Sequence, residues 1–139
     1  MYRNSEGYAD PTAGAVLSRM MKEFRQEQKR RYADKNRKKV YVASKYAGDI
    51  DANVAAAIDY CRKVIHDGCM PIAGHLLYPQ ILNDNIPGER ELGLLFGLAL
   101  LRICDEVWVF GEITPGVATE IEEAKKLKKH IRYFKGVNT

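Results

Sequence analysis

Cys104-Asp105-Glu106-Val107-Trp108-Val109-Phe110-Gly111, followed by Glu112-Ile113-Thr114-Pro115-Gly116-Val117-Ala118-Thr119-Glu120-Ile121-Glu122-Glu123-Ala124, is the stretch on which the fold reading turns. Val107 to Phe110 is a short apolar run, β-branched and aromatic, as a buried parallel strand requires. Thr114-Pro115-Gly116 breaks it, and a helix is expected from near Val117 to Lys129. A strand, a tight turn and a helix N-terminus make the kind of edge at which open α/β sheets bind ligands.

The helix carries one residue out of place. Val117, Ile121, Ala124 and Leu127 share a side at helical spacing, so that side should face the sheet. Glu122, Glu123, Lys125 and Lys126 point away from it, but Glu120 falls between Ala124 and Leu127, inside the apolar stripe. An uncompensated carboxylate there costs several kcal/mol in desolvation. Two readings stand: an acid in an early turn that favours the helix dipole and leans into water, or a pocket carboxylate that does chemistry.

Working outward, alternating elements build the rest. Val40-Tyr41-Val42-Ala43-Ser44 reads as a first strand, and the loop Lys45-Tyr46-Ala47-Gly48-Asp49 follows it. The next helix has Asp51 or Asn53 available as its cap, buries Val54, Ile58, Cys61 and Ile65, and ends at Gly68. Met70 to Ala73 reads as a second strand, to which Pro71 is a mild objection. His75 to Glu89 is a long polar connection, and Glu91 to Cys104, apolar almost all round, is expected as a deeply buried helix. Ile131 to Phe134 is the last strand. The expected fold is α/β, a three-layer sandwich on a mainly parallel, Rossmann-like or flavodoxin-like sheet.

Before the first strand the chain changes character. Asp10-Pro11-Thr12 suits a helix start, and Ala13, Leu17, Met20, Met21 and Phe24 then share a face. The pattern dissolves into charge after Arg25, and residues 33–39 read as a linker. Residues 1–39 are therefore expected as an amphipathic helix with a basic linker after a loose arm at 1–8, and residues 40–139 as the α/β domain. The apolar face of the helix asks for a partner surface, on the domain or on a second subunit.

Composition narrows the function classes. With 139 residues, 46% hydrophobic and 29% charged, the chain suits one globular domain with a real core. No apolar run approaches the roughly 18 residues of a membrane span, and the start lacks an apolar leader, so a cytoplasmic address is expected. Cys61, Cys69 and Cys104 read as reduced, mostly buried thiols, and His66, His75 and His130 are too scattered for a metal site. No metal or cofactor is expected. The net charge of +4 gathers in Arg25, Lys29, Arg30, Arg31, Lys35, Arg37, Lys38 and Lys39. That patch reads first as a solvated face and linker; contact with nucleic acid is the lesser alternative.

The sheet's carboxyl edge should collect Ser44 to Asp49 (with Tyr46 and Gly48 between them), His75, Gly111 to Gly116 (with Thr114 between them) and Glu120. Gly48 and Gly116 would allow close backbone approach, and the amides of the helix start near Val117 would hold an anion such as phosphate. No Walker sequence is present and no Gly-x-Gly-x-x-Gly follows the first strand, which argues against phosphoryl transfer and the usual dinucleotide chemistry. A nucleoside or nucleotide monophosphate fits better, and Arg90 is a candidate for a ligand phosphate.

Val40-Tyr41-Val42-Ala43-Ser44 with Gly48, then Cys104-Asp105-Glu106-Val107-Trp108-Val109, then Gly116-Val117-Ala118-Thr119-Glu120 with Ala124, resembles the nucleoside 2-deoxyribosyltransferase-like superfamily. The nearer likeness is to its small, functionally unassigned bacterial and phage branch. The resemblance covers about residues 39–134. It implies a glutamate nucleophile, matched by Glu120, which displaces the base from the anomeric carbon and forms a glycosyl-enzyme intermediate. It also implies that Tyr41 hydrogen-bonds that nucleophile, and that the protein is a homo-oligomer, a dimer or larger, with shared sites. The aspartate that helps protonate the leaving base in the family is matched here by Gly97. The implied function is N-glycosidase or deoxyribosyltransferase-like chemistry on a nucleoside or nucleotide; the alternative is a catalytically silent nucleotide-binding protein that senses or sequesters its ligand.

Overall fold

A computed structural model describes residues 13–33 and 37–135. The chain divides into two units, 1–36 and 37–139, each described by itself.

The described residues of the first unit form a helix, α1 (Ala13–Ala33). Met20, Met21 and Phe24 lie exposed along it. The helix continues well past Arg25, where the apolar pattern stops, because Gln, Glu, Lys and Arg are good helix formers without a buried face. The expected start at Asp10-Pro11-Thr12, and residues 34–36 of the expected linker, lie outside the described residues.

The second unit runs β1 (Lys39–Ala43), α2 (Ile50–His66), β2 (Met70–Ile72), the short α3 (Gly74–Leu77), a 3₁₀ turn (Tyr78–Gln80), α4 (Pro87–Ile103), β3 (Glu106–Phe110), α5 (Pro115–Lys126) and β4 (His130–Phe134). The four strands pair in parallel in the order β2-β1-β3-β4. Tyr41 lies opposite Ile72 on one side and Val107 on the other. With β1 and β3 central, the strand order reverses between them. Their carboxyl ends flank the crevice where such sheets place ligands.

Period-two alternation divides the core between the two faces. Tyr41, Ala43, Val107 and Val109 pack with Leu101 and Cys104 of the α4 end and Val117, Ile121 and Ala124 of α5. Val40, Val42, Trp108 and Phe110 pack with Val64, Tyr60 and Cys61 of α2. The fold is therefore the expected α/β sandwich of three layers, with every strand parallel. At the amino edge, Asp105 holds β1 in place. Its Oδ2 accepts from the Lys39 amide at 2.8 Å, and its own amide donates to the Lys39 carbonyl at 2.8 Å.

Several local expectations change. On α2 the buried residues are Asn53, Ala57 and Val64, while Ile58 and Ile65 are exposed. The helix is rotated because the Asn53 amide is drawn inward, donating to the carbonyls of Tyr46 at 2.9 Å and Ala47 at 3.0 Å. Its cap is Asp49, which accepts from the Ala52 amide at 3.2 Å. Pro71 sits on an edge strand, where a missing donor costs little. Much of the long connection after β2 is helical. Helix α4 starts at Pro87, and Leu101 is its one buried residue; Leu92, Leu94, Leu95, Phe96 and Ile103 are exposed. A helix lying on one side of a sheet can bury only a stripe, so an all-round apolar pattern leaves most of its surface outside. Helix α5 ends at Lys126, short of Lys129, because Lys128 takes a left-handed φ of 56° and closes the turn. Of the cysteines, Cys104 is buried and Cys61 and Cys69 are half-buried; all three are free thiols. Among the described residues no helix is long and apolar enough to cross a membrane.

Candidate functional site

Strand alternation turns Tyr41 toward the α4 and α5 layer, where its ring is buried. Helix α5 starts at Pro115, with Thr114 as cap accepting from the Val117 amide at 3.4 Å. Glu120 sits in the next turn, half-buried at the edge of the stripe formed by Val117, Ile121 and Ala124. The Tyr41 hydroxyl and the Glu120 carboxylate act on each other's ionisation. Burial raises the Glu120 pKa to about 7, against the opposing pull of the Tyr41 hydroxyl. Burial, followed by the neighbouring charge of Glu120, holds the Tyr41 phenol well above its usual range, so the phenol stays protonated and donates.

Two glycines lie against that hydroxyl. A Cβ added at Gly97, on α4, would lie 3.4 Å from Tyr41 Oη. One at Gly74, opening α3, would meet the Gly97 Cα at 3.4 Å and Tyr41 Oη at 3.7 Å. Neither was marked in the sequence as a neighbour of Tyr41, and Gly97 stood out only as an acid missing from its expected place. The signal that finds them is glycine in helices otherwise built of large residues. Tyr78 also acts on the Tyr41 phenol and leans on Phe96, the ring centroids 5.2 Å apart.

A second pair lies just beyond β1. Ser44, buried, is hydrogen-bonded through Oγ to His75 Nε2 at 3.0 Å. Burial lowers the His75 pKa to about 4, which keeps the ring neutral across the physiological range. The sheet's carboxyl edge thus presents a neutral hydroxyl–imidazole pair and a tyrosine–carboxylate pair.

The remaining expected residues are placed differently. Gly48 takes a φ of 101° and turns the loop into α2. Asp49 is committed to its cap, and Tyr46 gives its carbonyl to Asn53. Gly116 has an ordinary φ, and an added Cβ would meet Thr114 Oγ1 no nearer than 4.0 Å, so the backbone does not require glycine there. The start of α5 is poorer in amides than expected: Pro115 has none, and Thr114 takes that of Val117, which leaves the Gly116 amide in that turn. Arg90 is exposed in the first turn of α4. Lys45 and Glu112, both expected at this edge, join the loops after β1 and β3 across 3.3 Å, an exposed pair of little energetic weight. Among the described residues no group of three or more His, Cys, Asp or Glu side chains comes together as a metal site would need.

The chain belongs to the family described as a domain of unknown function (DUF7768), which matches residues 38–134. Among solved structures it is similar to a 2-deoxyribosyltransferase from the psychrotolerant bacterium Bacillus psychrosaccharolyticus. The TM-score is 0.55 at 17% identity, over 69% of this chain and 71% of that one. That protein is described as a biocatalyst for the synthesis of antiviral and antitumoral nucleosides. No curated protein matches the sequence. The likeness is one of fold.

Proposed function

We propose that this chain cleaves or transfers the N-glycosidic bond of a nucleoside or nucleotide, with Glu120 as nucleophile. The observation that carries the reading is the Glu120 carboxylate held half-buried beside a donating Tyr41 at the point where the strand order reverses. The ionised carboxylate attacks the anomeric carbon, the carbon–nitrogen bond breaks, and the base leaves, taking a proton from solvent. Water, or a second base, then attacks the glycosyl ester and frees the carboxylate. Tyr41 holds the carboxylate in position, and Ser44 and His75 offer neutral hydrogen-bonding groups to the substrate.

A second reading, a nucleotide-binding protein without turnover, is favoured by Gly97. Its Cα backs onto Tyr41, and a side chain longer than a methyl there would have to displace the hydroxyl. No carboxylate occupies that place to protonate a leaving base. General-acid help is worth ~10²–10⁴-fold, so turnover is expected to be slow.

The test is a panel of nucleosides, deoxynucleosides and their monophosphates, read by chromatography for free base. Wild type is expected to release base from at least one member, and Glu120→Ala to fall to background. Equal binding of a nucleotide by both proteins, with turnover by neither, overturns the enzyme reading in favour of the second.

A further inference from the structure

We infer that the free edge of β4 is a docking site for an extended, acidic segment of another protein, which adds to the sheet as a further strand. The sheet has two edge strands, and the sequence treats them differently. In a parallel ladder the N–H and C=O of one residue point to one side and those of the next residue to the other. On β2, three residues long, the Met70 amide donates inward to the Lys38 carbonyl at 2.8 Å. Pro71 therefore faces outward, and the donor that this edge would offer is missing. β4 is five residues long, contains no proline and pairs on one side, with β3. The Phe134 carbonyl accepts from the Gly111 amide at 2.8 Å, so Phe134 and Arg132 turn their backbone toward β3. Ile131 and Tyr133 then present theirs outward, and Tyr133 is 56% exposed.

Charge gives the chemistry of the occupant. Residues 125–135 hold six lysines and arginines and no aspartate or glutamate. Lys125, Lys126 and Lys128 precede the strand, Arg132 stands within it and Lys135 follows it, all of them exposed. Among the described residues none of these five forms an ion pair. Arg132 is nevertheless held in place, its guanidinium 4.5 Å from the ring centroid of Trp108 and 4.9 Å from that of Phe134. Stacked in this way, it keeps its fork of N–H donors for a carboxylate. A second β4 would set cation against cation, which is how lysines keep sheet edges apart. An acidic strand meets the opposite condition. Its backbone pairs with Ile131 and Tyr133, and its carboxylates meet Arg132 and the lysines at either end. The outward backbone favours a peptide over a nucleic acid, which would use the cations alone. This edge lies across β3 from the crevice between β1 and β3, so the inference stands apart from the proposed chemistry.

The test uses the full chain and a fluorescein-labelled peptide of alternating glutamate and valine, long enough to span β4, read by fluorescence anisotropy. Binding is expected, weakening as salt rises, and a peptide of alternating lysine and valine should not bind. The bound peptide should protect the Ile131 and Tyr133 amides from hydrogen exchange and change those of Arg132 and Phe134 little. Tyr133→Pro removes an outward donor alone and should weaken binding about tenfold or more; Tyr133→Ala keeps that donor and should retain most of it. Lys128→Glu combined with Lys135→Glu should also weaken binding about tenfold or more. Equal binding by Tyr133→Pro and Tyr133→Ala overturns the inference. So does a bound peptide that leaves the Ile131 and Tyr133 amides exchanging freely, a reading made on wild type whether or not the proline variant folds. No anisotropy change at ~1 mM protein, or binding of single-stranded oligothymidylate in place of the peptide, overturns it as well.

Discussion

The phenol of Tyr41, at the centre of β1, and the carboxylate of Glu120, in the second turn of α5, meet across 79 residues of sequence and act on each other's protons. The phenol stabilises the charged carboxylate, and the charged carboxylate makes the phenol harder to ionise.

Removing one side of that relationship should therefore move the other. Tyr41→Phe deletes the group that holds the Glu120 pKa down, so the carboxyl should titrate above about 7. A side-chain NMR titration of Glu120 reads this directly. The lost hydroxyl should also cost about 1–2 kcal/mol of stability at high pH, where the buried charge is left without its donor.

Glu120→Gln should stabilise the protein in alkaline solution only. The folded-state pKa lies above the ordinary carboxyl value of 4.5, at about 7. Ionisation therefore opposes folding, and stability present below pH 4.5 is lost as pH rises through 7. The full effect is on the order of 3 kcal/mol. Chemical denaturation at pH 8 and at pH 4 should show a gain for the variant at the first and none at the second.

His75 should tilt the same curve the other way. Its folded-state pKa of about 4 lies below the ordinary 6.5, so its stabilising contribution is complete above pH 6.5 and is lost as pH falls through 4. Between pH 4.5 and 6.5 the two groups oppose each other, and the wild-type profile should be nearly flat. Glu120→Gln should make stability rise with pH across that window; His75→Gln should make it fall. Parallel profiles for all three proteins would refute both assignments.

Packing at position 97 gives a size-graded expectation. A methyl would make ordinary contact with Tyr41 Oη, so Gly97→Ala should be neutral or gain up to ~1 kcal/mol in helix propensity. Gly97→Val must push the hydroxyl aside and should cost about 1–3 kcal/mol. Thermal melts of the two variants should rank in that order.

What the sequence made legible follows from how each property is encoded. The β3–α5 stretch displays its periodicity openly, so strand, turn, helix and the anomalous Glu120 can be read from residue order alone. The α4 segment could not be read that way. Its apolar residues surround the helix, and which side meets the sheet depends on Gly97 and Leu100, a tertiary fact. The buried face of α2 departs from the periodic reading for a similar reason, since Asn53 turns inward to serve a loop and takes the helix with it. The Ser44–His75 bond joins residues 31 positions apart. Both appear in the sequence as edge residues, and only the parallel pairing of β2 beside β1 makes them a pair.

The strand that finishes at the centre is the first of the four to leave the ribosome. β1 must wait for β3, whose last residue is Phe110, before its second side is covered. At ~5–20 residues per second that interval lasts roughly 4–14 s. During it Val40-Tyr41-Val42-Ala43 is a sticky, incompletely covered template. Newly made chains should then be most vulnerable to mispairing with one another, and most dependent on chaperones, well before the residues that complete the site exist.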